Sequence, residues 1–464
     1  MRNFEMHGQS IDPDQSVIET GSVGQGGTPW PPPRQAWWAV FVFGITLTIS
    51  YLDRGLLNLL VEPIKQDLAL SDTQISLVMG FAFVAFYLVL GLPLAQLIDR
   101  GSRRLILGVC VVVWSLSTAL CGTAQAFWQL ALFRFGVGAG EAGVAPSMSS
   151  MLSDLFPPEK LPRAMSLMAF AFVCGNGLSL LLGGFIIGSL SQGGAIVLPL
   201  LGEVRPWQAT FIMVGLPGLL AAALYVTVPE PVRRGRPAET LNEAASLREV
   251  LRYLSDNRRV FAPMFIGLAL SSIAAAGAAG WTPAFFSRAH GWSPAQFGPA
   301  AGITSLVCMP VGLMLGFRVT EMFARQGRND ASLRLVAWAH WLALPFAVAM
   351  PLMPSPQLAL VMFGLAMGIS VSAIGSQNAA LLIVTPNRMR AQMTALFLVM
   401  YNVIGFGLGP TVVATLTDFV LGSEAKLGLA MALTSAVLGT LGALSISLGL
   451  RPFGTEVERA RRWA

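Results

Sequence analysis

Charge is scarce in this chain of 464 residues: Asp, Glu, Lys and Arg together make up 12%. A soluble domain carries about 25% of such residues, so half that supply cannot clothe a water-facing surface. Histidine is rarer still, with three in the sequence and no two of them close. Zinc-protease motifs of the H-E-x-x-H kind are absent, as are a G-x-S-x-G nucleophile elbow and a nucleotide loop, so a membrane-embedded enzyme acting on lipids lacks its parts. No repeated filter or charged ring supports a channel. The four cysteines, Cys110, Cys121, Cys174 and Cys308, fall within apolar runs without ligand spacing, which points to packing. No cofactor and no metal site is expected. The net charge of +6 comes from basic residues scattered through short connections, not gathered in a patch, which argues against a nucleic-acid partner.

Long apolar runs take the place of charge, and 54% of the residues are hydrophobic. A run of about 20 apolar residues crosses ~30 Å of hydrocarbon as a helix, and helices satisfy their own backbone in lipid. Twelve such spans are predicted, near 36–61, 74–98, 105–124, 127–152, 164–190 and 208–228, then near 260–286, 296–319, 333–352, 357–384, 391–417 and 426–450. With both termini inside, about 24 of the 30 Lys and Arg residues lie on the cytoplasmic side and about four (Lys65, Arg205, Arg288, Lys426) outside. The organisation expected is a disordered cytoplasmic tail (1–35), a six-helix bundle (36–228), a cytoplasmic linker (229–258), a second six-helix bundle (259–450) and a cytoplasmic tail (451–464). The arginine-rich linker divides two halves that echo each other: Asp99 to Arg104 between spans two and three corresponds to a looser basic loop with Gly316, Arg318, Glu321, Arg325 and Arg328. Two parallel six-helix halves around a central cavity is the major facilitator arrangement, with substrate bound near the midplane.

Four charged residues fall inside predicted spans: Asp53 and Arg54 in span one, Arg134 and Glu141 in span four. A charge at a helix centre costs at least ~2.5–3.5 kcal/mol on insertion scales, so such residues normally face a pocket and hold a partner. Arg134 and Glu141, two helical turns apart, share a face, whereas Asp53 and Arg54 diverge by about 100°. One outcome is a static ion-pair cluster. The other is function: Asp53, Glu141 and Arg134 couple protons, because an arginine approaching or leaving a buried carboxylate switches its proton affinity. Arg54 and Arg134 are also candidates to hold an anionic substrate group through their planar guanidinium forks. In the second half Asn378 and Asn402 are candidate substrate contacts, and His340 is expected to be a packing residue. Charge on one wall and apolar surface on the other suits an amphipathic substrate. Glycines of span four (Gly136, Gly138, Gly140, Gly143) and span five (Gly175, Gly183, Gly184) should let helices approach closely.

The segment Asp99-Arg100-Gly101-Ser102-Arg103-Arg104 resembles the major facilitator loop between spans two and three, and the resemblance implies a cytoplasmic gate made by Asp99, Arg100, Arg103 and Arg104. Arg134 with Gly138 and Gly140 resembles the span-four motif linked to proton coupling. The span-five antiporter motif is incomplete, with Leu180 where proline is expected. More narrowly, Tyr51-Leu52-Asp53-Arg54, Ile64-Lys65-Gln66-Asp67-Leu68, Leu70-Ser71-Asp72-Thr73-Gln74, Val137-Gly138-Ala139-Gly140-Glu141-Ala142 and Ser153-Asp154-Leu155-Phe156-Pro157-Pro158-Glu159-Lys160 together resemble the Spinster branch, including its bacterial members. That resemblance implies an all-α transporter in a bacterial inner membrane, carrying lysophospholipids or sphingoid phosphates with protons. It carries Asp53 and Glu141 over as protonation sites and Arg54 as the headgroup contact. A monomer is expected, and a proton symporter of small organic anions such as sugar acids is the competing reading.

Overall fold

In a computed structural model, residues 29–192, 196–198, 202–234 and 246–460 are described. Residues 1–28 of the tail expected to be disordered, residues 461–464 of the expected C-terminal tail, and linker residues 235–245 lie outside that set. The described chain is almost entirely helical, with eleven helices long and apolar enough to cross a membrane. The twelfth span, the fourth in order, is interrupted: Phe127–Glu141 and Val144–Leu155 are separate helices. Pro146 supplies the cause, because it lacks an N–H and its ring crowds the carbonyl four residues back, at Ala142. Span one (Pro33–Leu59) starts on a proline at its first helical position, where the missing N–H costs nothing. Span two is Asp72–Met79 followed by Phe81–Arg100, and span ten is Pro356–Ser372 followed by Ile374–Ile383.

Two boundaries differ from the sequence expectation. The basic loop after span eight is largely helix, since that span runs Pro294–Arg325, with Arg318 and Glu321 within it. The last helix continues from Leu427 to Ala460, through ten residues read from sequence as tail. Phe453, Glu456, Val457 and Ala460 are buried at helical spacing, so this extension keeps a packed face even where its composition turns polar.

Three hydrophobic clusters describe how the halves meet. At the face bearing the chain termini there are two separate cores. One joins Ala36, Phe43, Leu107, Trp114 and Leu155 of the first half, and the other joins Phe261, Leu333, Phe397 and Phe453 of the second. At the opposite face a single core takes residues from both halves, Leu56, Ile64 and Phe211 with Trp281, Phe297 and Met431. Spans five and eight meet there along glycines: a Cβ on Gly184 would stand 2.6 Å from Pro299, and one on Gly302 2.6 Å from the Leu181 backbone nitrogen. Small residues let the backbones touch where no hydrophobic drive separates protein from lipid. The halves are thus sealed on the far face and parted on the face of the termini.

Ion pairs reinforce the seal. Arg288, near the end of span seven (Arg258–His290), donates to both carboxylate oxygens of Asp72 at 2.7 Å and to Glu62 at 2.7 Å. Lys65 pairs with the same Asp72 and with Glu424 at 3.0 Å, and the Thr73 backbone N–H and hydroxyl donate to Asp418 at 2.8 and 2.7 Å. Every one of these contacts with Arg288, Glu424 or Asp418 crosses between halves.

Candidate functional site

The four intramembrane charges form two ion pairs across spans one and four. Asp53 is fully buried: one oxygen accepts from Thr118 of span three at 2.9 Å and the other from Arg134 Nη1 at 3.2 Å. Arg54 pairs with Glu141 through Nη2 and through Nε, the latter at 2.8 Å. The 100° divergence of neighbouring residues explains why Asp53 and Arg54 reach different partners. Close approach of span four makes this possible: a Cβ on Gly140 would lie 2.5 Å from the Trp114 backbone nitrogen.

The two pairs differ in access. The side chains of Asp53 and Arg134 are 1% and 2% exposed, whereas Arg54 is 33% exposed above a Glu141 that is 2% exposed. Only Arg54 therefore presents its guanidinium to open space in this conformation, and Arg134 is spent on Asp53. Phe83 of span two packs beneath both guanidiniums, 4.7 Å from Arg54 and 5.8 Å from Arg134. Two polar atoms stay unsatisfied inside the cluster, Glu141 Oε1 and Arg134 Nε. Buried polar atoms without partners are costly, so this is a place where a proton or a rearranged hydrogen bond has something to gain.

Across the midline, the second half holds a cavity of about 310 Å³. Span seven supplies its wall through Ala274, Ala275, Ala278 and Ala279, where larger side chains would have filled the bundle. Spans nine to twelve close it with residues such as His340, Phe363, Tyr401 and Gly439, and among the described residues Asn176 of span five is its one lining residue from the first half. Phe83, the ring under Arg54, clusters with Val403 of span eleven, two residues from Tyr401 and Gly405 in the cavity wall. The arginine and the apolar void thus flank one helix at similar depth.

Of the other expected positions, Asn402 spends its side-chain amide on the Leu398 carbonyl at 2.8 Å, and Asn378 is exposed; neither lines the cavity. Asp99 and Arg100 are exposed at the end of span two. Arg103, 1% exposed, is the hub of the clasp at that end: it binds Asp154, Glu230 at 3.0 Å, Ser150 at 3.1 Å and the Pro231 carbonyl at 2.6 Å. Arg104 donates its backbone N–H to Glu230 at 2.8 Å, and Arg233 caps the Ile98 and Gly101 carbonyls at 2.7 and 2.8 Å. Burial works to raise the Glu230 acid, but hydrogen bonds from the Arg104 backbone, Arg103 and Ser102 prevail and hold it below the usual glutamate range. These partners lie in the first half and at the start of the linker that follows it, so the clasp ties spans two, three and four to the chain leaving span six.

Sequence inspection missed the alanine-walled cavity, the roles of Thr118 and Phe83, and the far-face network. The run Ala274-Ala275-Ala276-Gly277-Ala278-Ala279-Gly280 is a visible signal for the first. The network left a fainter one, acidic residues at 62, 72, 418 and 424 in connections that also hold Lys65 and Arg288.

Comparison with known proteins agrees with this architecture. Residues 43–410 match the model of the Major Facilitator Superfamily. The chain is 29% identical over 461 residues to an MFS-type efflux pump of Mycolicibacterium smegmatis, covering 96% of this chain and 99% of that protein. It is 27% identical over 252 residues to protein spinster of Drosophila melanogaster, 54% of this chain and 39% of that one. Its fold matches the inward-facing, unoccupied crystal structure of a bacterial homologue of the human lysosomal transporter Spinster, with a TM-score of 0.73 and 25% identity over 93% of this chain and 98% of that one. The chain belongs to the major facilitator superfamily of membrane transporters and is similar, within it, to the Spinster proteins.

Proposed function

We propose that this chain is a proton-coupled, alternating-access transporter of an amphipathic anionic or zwitterionic molecule, of the lysophospholipid or sphingoid phosphate class. The observation that carries this is the pairing of a half-open arginine, Arg54, with an alanine-walled apolar cavity on the other side of span eleven. A phosphate suits the guanidinium fork and an apolar moiety suits the void. The positive-inside bias supports cytoplasmic termini, and with that orientation this conformation is inward-facing.

Coupling follows from the Arg54–Glu141 pair. An anionic headgroup drawing Arg54 away leaves Glu141 desolvated without its counter-charge, and uptake of a proton at the unpartnered Oε1 neutralises it. The sealed Asp53–Arg134 pair is the second store of charge, reached when spans one and four move apart. The clasp around Arg103 and Arg104 keeps the first half rigid during that motion, with Asp99 and Arg100 exposed beside it at the cytoplasmic gate.

Uptake into proteoliposomes under an imposed proton gradient tests the proposal. Gradient-driven flux of a lysophospholipid is expected, and Arg54→Ala should weaken phosphate-bearing ligands at least tenfold more than neutral analogues. Flux indifferent to the gradient would remove proton coupling. A cavity of about 310 Å³ stands at the small end of ligand sites, which favours a second reading, symport of small organic anions such as sugar acids. Competition by short organic acids but not by lysolipids would select it.

A further inference from the structure

The apolar cavity of the second half has one polar end. Span seven climbs from the face of the termini to the far face, span nine climbs beside it, and span twelve descends between them. Trp341 Nε1 donates to Ser447 Oγ at 3.0 Å, while Leu344 sits 2.7 Å from where a Cβ on Gly439 would stand, so spans nine and twelve run antiparallel in contact. Ser271 Oγ packs on Gly442 of the same stretch. His340, Ser271 and Tyr401 therefore lie at similar depth on the part of the wall nearer the termini, whereas Met350, Phe363 and Phe406 lie toward the other end.

These polar groups are uncommitted. His340 Nδ1 lies 2.7 Å from the Val336 carbonyl oxygen, which can only accept, so Nδ1 carries the ring hydrogen and Nε2 is a free acceptor in the neutral ring. Ser271 is 9% exposed and its buried hydroxyl has no partner among the described residues. The Tyr401 ring packs on Phe397, and no hydrogen bond engages its hydroxyl among the described residues. Other hydroxyls on the wall behave differently: Ser272 and Thr282 donate to carbonyls of their own helix, at Ala269 and Ala278. A pure hydrocarbon tail would leave the imidazole acceptor unpaired in an apolar void, which costs about 1–3 kcal/mol.

We propose that this cavity is a recognition subsite for a hydroxyl carried on the apolar part of the transported molecule. The hydroxyl donates to His340 Nε2, which faces the cavity as a free acceptor. This rests on the amphipathic-substrate reading above and narrows it: the substrate's apolar portion is hydroxylated, and a methyl-ended chain is the poorer ligand.

Equilibrium titration of the nanodisc-embedded full chain with dodecyl phosphate and with 12-hydroxydodecyl phosphate, corrected against empty nanodiscs, tests it. The hydroxylated probe should bind about tenfold tighter to the unaltered protein. That preference should vanish in His340→Leu and return in part in His340→Gln, whose side-chain carbonyl is again an acceptor. Equal affinity for the two probes, or a preference that survives in His340→Leu, overturns the subsite while leaving the amphipathic reading standing. Failure of either probe to bind, with short organic acids binding instead, overturns both.

Discussion

Arg288 offers the sharpest handle on the conformational balance. It is 12% exposed on its side chain and makes three hydrogen bonds of 2.7 Å to carboxylates of the other half, two of them to the fully buried Asp72. Replacing it with glutamine removes its own cross-half charge pairs, leaves Lys65–Glu424 across the seam, and leaves Asp72 paired only with Lys65, a residue of its own half. Loss of one partner of a buried pair costs about 3–5 kcal/mol, and the residual lysine argues for the low end, about 3 kcal/mol. The cost falls only on the state in which the far face is sealed, so the equilibrium between the two access states should shift roughly 100-fold toward opening there. Gln66 and Ala425 are exposed on the two sides of the seam and outside the network. Spin labels at these positions, in a background lacking the four native cysteines, should report a longer, newly populated distance by pulsed electron resonance in Arg288→Gln. The same distance distribution in both proteins would refute the assignment of this network as what holds the far face shut.

The two carboxylates of the first half should respond unequally to neutralisation. Asp53→Asn strands Arg134, 2% exposed, and should lower the detergent melting temperature, the buried-pair cost being about 3–5 kcal/mol. Glu141→Gln frees the more accessible Arg54 and should cost clearly less stability while still impairing gradient-driven flux; equal melting of the two variants would argue for one static cluster. The clasp around Arg103 should be acid-labile. Glu230 is held below its unfolded value, so its stabilisation is complete above about pH 4.5 and fades as pH falls through the lower folded value. Glu230→Gln should flatten that part of the acid melting curve, and an unchanged curve would exclude Glu230 as its source. Ala279→Leu should occupy part of the apolar cavity, weakening binding of an amphipathic ligand with little change in melting temperature, because the side chain enters existing space.

Much of the architecture is legible in the chain itself. Apolar length in lipid leaves the backbone one economical option, so most spans located by composition fall within a few residues of the helices observed, the longer ends of spans eight and twelve excepted. The interruption of span four also has a written cause in Pro146, although continuous hydropathy conceals it. Charges stranded in apolar runs marked Asp53, Arg54, Arg134 and Glu141 in advance, because their insertion cost is a one-dimensional quantity. Which of them pair, and which stay reachable, is not such a quantity. It depends on Thr118, Phe83 and the close approach of spans three and four, so only the folded chain distinguishes the sealed Asp53–Arg134 pair from the half-open Arg54–Glu141 pair. The cavity and the far-face network are likewise products of assembly. An alanine run creates space only when neighbouring helices decline to fill it, and Arg288 becomes a bolt only when residues 216 and 226 positions away are brought to hydrogen-bonding distance.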